Sequence, residues 1–173
     1  MLPKLTLVLG GAASGKSVWA ENYLLSNCLT PAYLATSRVF DDEIKLRVEV
    51  HKSRRCDRWT NFEADLDLAP TLSRLEPDQA VLIDCATMWL SNQMLDERDI
   101  SAAQNDLLSA LSLSKAPVVI VSNEVGHGIV PDNALARHFR EAQGRLNIAL
   151  AAQSDVTVMV TAGLPMILKG TLS

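Results

Sequence analysis

Residues Gly10-Gly11-Ala12-Ala13-Ser14-Gly15-Lys16-Ser17 run glycine, four residues, then Gly-Lys-Ser. That spacing is made for holding phosphate. Glycines leave room for the backbone to curl, so that successive N–H groups converge on an anion. A helix starting at that point adds its positive dipole end, worth ~0.3–2 kcal/mol. Lys16 then reaches the β- and γ-phosphates of a nucleotide, and Ser17 offers a hydroxyl to Mg²⁺. The flanks supply the context such a loop needs. Leu5-Thr6-Leu7-Val8-Leu9 reads as a buried strand, and the run from Val18 to Leu25 as a helix with Trp19, Tyr23 and Leu24 on one side.

Other polar groups collect where strands are expected to end. Ala80-Val81-Leu82-Ile83-Asp84 is the clearest buried strand, and it closes on a carboxylate. Beside a phosphate loop, Asp84 reads as a ligand for Mg²⁺ or its water shell, or else as a helix cap. Ala32-Tyr33-Leu34-Ala35 runs into Thr36-Ser37-Arg38, and Val118-Val119-Ile120-Val121-Ser122 into Asn123-Glu124-Val125-Gly126. Ligands gather at the carboxyl ends of strands in open α/β sheets. Glu124 suits an acid or base, a metal-water ligand or an arginine partner, and the sequence does not choose among them. Between Lys45 and Arg58 lie six basic residues, Lys45, Arg47, Lys52, Arg54, Arg55 and Arg58, opposed only by Glu49 and Asp57. They form either a polyphosphate clamp or a solvated face.

These groups need a scaffold. Helices are expected from Glu43 to about Lys52, Asp65 to Leu75, Ala86 to Leu95, Ser101 (as cap) to Leu113 and Asn133 (as cap) to Gln153. The long last helix should turn Leu135, Phe139, Ala142, Leu146 and Leu150 inward. Val156 to Thr161 is a further strand, and Leu164 to Leu168 a short one. Strands alternating with helices predict an α/β fold with a mostly parallel sheet covered on both faces. With 173 residues, 48% of them hydrophobic, one domain over residues 1–173 is expected. A net charge of −4 argues against nucleic-acid binding by bulk charge. Cys28, Cys56 and Cys85 form no metal-spacing or disulfide pattern, which fits a reducing cytoplasm. No signal peptide and no apolar run long enough for a membrane span is evident.

The phosphate loop, Ala35-Thr36-Ser37, Asp41-Asp42-Glu43, Arg47 with His51-Lys52, Trp59-Thr60 with Glu63, the run from Asp84 to Asn92, and the block from Asn123 to Asn133 together resemble the bifunctional adenosylcobinamide kinase and adenosylcobinamide-phosphate guanylyltransferase family. The likeness continues to Gly163-Leu164-Pro165. It implies a RecA-like P-loop fold, a homotrimer, and two reactions of cobalamin biosynthesis. ATP or GTP phosphorylates the aminopropanol hydroxyl of adenosylcobinamide. GMP then passes from GTP to that phosphate through a guanylyl-histidine, giving adenosylcobinamide-GDP.

Carried over by position, the guanylylated histidine falls on His51. Nucleotide contacts fall on Gly10, Gly11, Ala12, Ala13, Ser14, Gly15, Lys16, Ser17, Thr36, Ser37, Arg38, Lys52, Ser53, Arg54, Arg55, Glu63 and Asp84. Two departures stand out: Ala13 replaces an arginine common in relatives, and His127 a methionine. The attacking imidazole must be neutral; the cations of Lys52, Arg54 and Arg55 favour that form, while the helix C-terminus favours the protonated ring. Without the resemblance His51 reads as a partly buried helix residue. The competing readings are a monofunctional small-molecule or nucleotide kinase and a nucleotide-binding regulator.

Overall fold

The computed structural model describes residues 2–28, 30–38 and 58–172. The elements in chain order are β1 Leu5–Gly10, α1 Lys16–Asn27, β2 Thr30–Ala35, β3 Thr60–Glu63, α2 Ala69–Leu72, β4 Gln79–Asp84, α3 Ala86–Leu95, α4 Ile100–Leu113, β5 Val118–Asn123, α5 Ala134–Gln153, β6 Val156–Thr161 and β7 Leu164–Lys169. They build a 7-stranded sheet in the order β3-β2-β4-β5-β1-β6-β7. Strands β1 to β6 run parallel, and β7 returns antiparallel to β6.

Strand periodicity divides the core in two. Leu7, Leu9, Leu34, Ile83 and Ile120 pack against α3, α4 and α5 through Trp89, Leu90, Leu107, Leu111, Leu146 and Leu150. Val8, Tyr33, Leu82, Val119, Val121 and Val158 face the other way, onto Ala20 and Leu24 of α1. The central strands are apolar on both faces because both are covered.

Three local expectations are corrected. The helix expected from Asp65 to Leu75 is reduced to α2, with Pro70 in its first turn. Proline tolerates that position but no later one. Upstream, the Leu66 carbonyl is taken by Trp89 Nε1 at 2.7 Å and Gln93 Nε2 at 2.9 Å instead of by a helical amide. Leu72 and Leu75 are buried, whereas Ala69 is exposed. The cap of α4 is Asp99 rather than Ser101, its carboxylate accepting from the amides of Ser101 and Ala102. Leu135 is 62% exposed, because α5 meets the core only from Phe139 onward. The helix expected near 43–52 lies outside the described residues.

A buried polar network fixes the end of β5. Ser122 Oγ donates to Asn147 Oδ1 at 2.6 Å, and Gln143 Nε2 donates to both of those atoms at 2.9 Å. Asn147 Nδ2 donates to the Asn123 carbonyl at 3.0 Å. Nearer the other edge, Arg38 closes a double ion pair: Nε donates to Asp65 at 2.5 Å, and its terminal nitrogens donate to the two Asp96 oxygens at 2.7 and 2.8 Å. The guanidinium holds both carboxyls below the usual carboxylate range.

Asn147→Ala is expected to cost about 1–3 kcal/mol in chemical denaturation, since it strands buried partners. The Arg38 pairs contribute fully above the ordinary carboxylate pKa, and that contribution fades as pH falls through the lowered folded values. Arg38→Met is therefore expected to be less stable than wild type at neutral pH, with the gap closing below about pH 4. Parallel denaturation curves at neutral and acid pH check this.

Candidate active site

Because β1 to β6 share one direction, their carboxyl ends share one edge. That edge gathers the loop 10–17, the segment Thr36-Ser37-Arg38, Glu63, Asp84 and the turn at Asn123-Glu124-Val125-Gly126. His51, Lys52, Ser53, Arg54 and Arg55 lie outside the described residues.

The loop is fixed by sterics. Gly10 ends the buried β1, and a Cβ there would lie 2.7 Å from the Val160 carbonyl oxygen. Ala13 at φ 54° and Gly15 at φ 91° are both left-handed. Such reversals aim neighbouring N–H groups into one concavity. The Ser14 amide donates to the Gly11 carbonyl at 3.3 Å, and the Trp19 amide to Gly15 at 2.9 Å, which starts α1. The turn joining β6 and β7 braces the loop from outside. Ala162 and Gly163 there have φ of 52° and 78°, and the Gly163 amide donates to the Ser14 carbonyl at 2.8 Å. A side chain at Gly15 would meet Gly163 Cα at 3.0 Å.

Lys16 leans back into the loop, its Nζ donating to the Gly11 carbonyl at 3.0 Å. Burial lowers its pKa, while Cys85 and Asp84 act to raise it. Burial also pushes the Cys85 thiol up to about 12, so it is neutral at physiological pH and Asp84 is the anion Lys16 senses. Tyr33 from the adjacent β2 donates its phenol to Asp84 Oδ2 at 3.0 Å, orienting the carboxylate. The Asp84–Cys85 peptide is cis. Ser17, half-buried in the first turn of α1, supplies a hydroxyl. A hydroxyl, one carboxylate and phosphate oxygens form a hard donor set that suits Mg²⁺. Among the described residues no group of three or more His, Cys, Asp or Glu could hold a metal by itself.

The remaining candidates are placed unevenly. Thr36 has no exposed surface, and its hydroxyl donates to the Cys85 carbonyl at 2.7 Å and accepts from the Cys85 amide at 2.8 Å. It ties the ends of β2 and β4 together and leaves no surface for a ligand to reach. Arg38 faces Asp65 and Asp96. Ser37 is half-buried, and Glu63 is exposed at the end of the edge strand β3. The end of β5 reaches the loop directly, since the Glu124 amide donates to the Gly10 carbonyl at 3.0 Å. Among the described residues Arg137 bonds its own preceding loop, at the carbonyls of Pro131 and Asp132. It is Arg140 that donates to the Gly126 carbonyl.

Sequence reasoning missed Tyr33, the brace at Ala162-Gly163, and Asn92, which is fully buried and donates to the carbonyls of Thr36 and Asp65. A phenol inside a strand looks like core, and an amide inside a helix like surface. Only the Ala-Gly pair between two apolar runs carried a hairpin signal.

Solved structures give the fold class. The RadB recombinase superposes with a TM-score of 0.53 at 18% identity, covering 91% of this chain and 74% of that one. The P4 protein of bacteriophage phi6 in complex with ADP gives 0.50 at 13%, covering 93% and 52%. A type III secretion ATPase gives 0.57 at 9%, covering 96% and 57%. The sheet is therefore that of the RecA-like P-loop proteins. In sequence, the chain is 38% identical to the bifunctional adenosylcobalamin biosynthesis protein CobP of Pseudomonas aeruginosa, over 95% of this chain and 96% of that protein. It is 36% identical to the corresponding CobU of Escherichia coli, over 95% and 99%. Residues 6–168 match the model of one family, and the chain belongs to it: cobinamide kinase / cobinamide phosphate guanyltransferase.

Proposed function

We propose that residues 1–173 form one nucleotide-binding unit whose single site serves two transfers. In the first, the γ-phosphoryl group of ATP or GTP moves to the aminopropanol hydroxyl of adenosylcobinamide. In the second, GMP moves from GTP to the phosphate so formed. The observation that carries this reading is a family match running unbroken from residue 6 to 168, through the phosphate loop, the strand ending on Asp84 and the turn at Glu124.

In the kinase step the loop amides and Lys16 hold the β- and γ-phosphates and meet the charge that grows on the leaving diphosphate. Mg²⁺, held by Ser17 and Asp84, supplies further charge neutralisation when bound. Tyr33 keeps the Asp84 carboxylate turned for that role. In the guanylyl step neutral His51 attacks the α-phosphorus of GTP. The bond from that phosphorus to the bridging oxygen breaks, and pyrophosphate leaves with the electron pair, its charge met by Lys52, Arg54 and Arg55. An oxygen of adenosylcobinamide phosphate then displaces the imidazole. Ser37, Ser53 and Glu63 belong to the nucleotide contacts that the family implies, and a carboxylate such as Glu63 can accept two N–H bonds from a guanine edge.

The protein works in the cytoplasm as a homotrimer. Among the described residues no helix is long and apolar enough to cross a membrane. Support for assembly comes from β7, an edge strand presenting Leu164, Met166, Ile167 and Leu168, each 48–72% exposed. Edges of that kind are covered in stable proteins.

GTP labelled in its α-phosphate is expected to leave acid-labile label on the wild-type protein and none on His51→Ala, while His51→Ala still phosphorylates adenosylcobinamide. An unlabelled wild type would count decisively against guanylyl transfer. Light scattering after size exclusion is expected to give three times the 18.8 kDa chain mass, and a monomer would contradict the assembly.

A further inference from the structure

The kinase reaction needs a group to take the proton of the attacking hydroxyl. Among the described residues several carboxylates stand at the carboxyl edge, and the structure separates them. Asp65 and Asp96 are bound to Arg38. Asp84 accepts from Tyr33 and faces Lys16. Glu63 ends β3, four strand steps from β1 in the order β3-β2-β4-β5-β1. At roughly 4.8 Å per step that is about 19 Å from the phosphate loop.

Glu124 stands elsewhere. It follows β5, which lies between β1 with its phosphate loop and β4 with Asp84. Its amide is hydrogen-bonded to Gly10, the first residue of the loop pattern. It therefore sits beside the groups that hold the γ-phosphate, one strand from each. The carboxylate is half-buried and pinned through one oxygen: Oε1 accepts from the Gly126 amide at 2.5 Å. Gly126 is held in turn, its carbonyl accepting from Arg140 of α5. A Cβ at Gly126 would lie 2.7 Å from Oε1 and would press on the carboxylate in its present position. The strand end beneath is locked by the Ser122, Gln143 and Asn147 network and by the Thr87 hydroxyl, which accepts from the Asn123 amide at 2.8 Å. Among the described residues Oε2 has no hydrogen-bond or ion-pair partner. A carboxylate oriented through one oxygen, on a strand end bonded to the start of the phosphate loop, suits a general base.

We propose that Glu124 is the general base of phosphoryl transfer. The role rests on the kinase half of the function proposed above. As the acceptor oxygen forms its bond to the γ-phosphorus, its O–H bond breaks and the proton passes to Glu124 Oε2. The bond from the γ-phosphorus to the β–γ bridging oxygen breaks, and its electron pair leaves with the nucleoside diphosphate. Protonated Glu124 returns the proton to water when product leaves. No such proton is released when His51 attacks the α-phosphorus, so the guanylyl-histidine step does not need this carboxylate.

Glu124→Gln separates the roles, because the amide oxygen still accepts from Gly126 while the base is gone. With adenosylcobinamide and ATP or GTP, kcat for phosphorylation is expected to fall about 10²–10⁴-fold. The KM for nucleotide and the thermal midpoint should stay near wild type, and α-labelled GTP should still label the variant. Kinase turnover within a few-fold of wild type would overturn the assignment. So would parallel loss of phosphorylation, nucleotide affinity and labelling, which would make Glu124 a prop for the loop. A wild-type protein that phosphorylates no adenosylcobinamide would remove the proposed function itself, and this role with it.

Discussion

A half-buried ammonium dominates this edge of the molecule. Lys16 gives up part of its hydration, and its lowered pKa records the cost. One backbone carbonyl and the field of Asp84 replace only part of the lost water. On the proposed reading a nucleotide's phosphates supply the rest, and binding leaves little reorganisation for the chemical step. The surrounding devices keep Lys16 where it is: the glycine at position 10 that admits the loop against Val160, the Gly163 amide bonded to Ser14, and the phenol of Tyr33 on Asp84.

That arrangement depends on the sheet more than on the loop. Six parallel strands bring every carboxyl end to one edge, but strand order decides which ends meet. Placing β5 between β1 and β4 sets the strand end that leads into Glu124 between the strand before the phosphate loop and the strand that closes on Asp84. The buried amides of Gln143 and Asn147 make sense in this setting. A buried polar network is costly unless fully connected, yet it fixes a strand end to one position. Here that strand end carries Glu124, the carboxylate proposed as the base.

The phosphate loop, the strand ending on Asp84, the two-faced sheet and the long helix capped by Asn133 were legible because each rests on local rules of spacing and periodicity. The misreadings share a different cause. Leu66 had helical spacing, yet its carbonyl is claimed by Trp89 and Gln93 from a distant helix, and Pro70 limits what can follow. Arg38 is among the nucleotide contacts that the resemblance implies, and nothing local in the sequence told that Asp65 and Asp96, 27 and 58 residues away, bind its guanidinium. Thr36, at the same strand end, is fully buried. In each case a long-range contact outbid a local preference, and long-range contacts are what periodicity cannot carry. Glu124 was visible as a polar residue at a strand end, but only the strand order gives it a neighbour.

On the proposed reading, the two reactions ask for different nucleophiles and one common environment. Both expel a charged phosphate leaving group, so both gain from the same amides and cations. What differs is the phosphorus under attack. In-line displacement at the γ-phosphorus requires the acceptor to approach from beyond the end of the triphosphate, beside Glu124. Displacement at the α-phosphorus requires approach from the side opposite the pyrophosphate, where a histidine can serve and a hydroxyl base cannot. One seat for the triphosphate with two nucleophile positions is then a more economical solution than two sites. It also accounts for why the chain invests its buried polar groups at the end of β5: the seat is shared, but the proton acceptor belongs to one reaction alone.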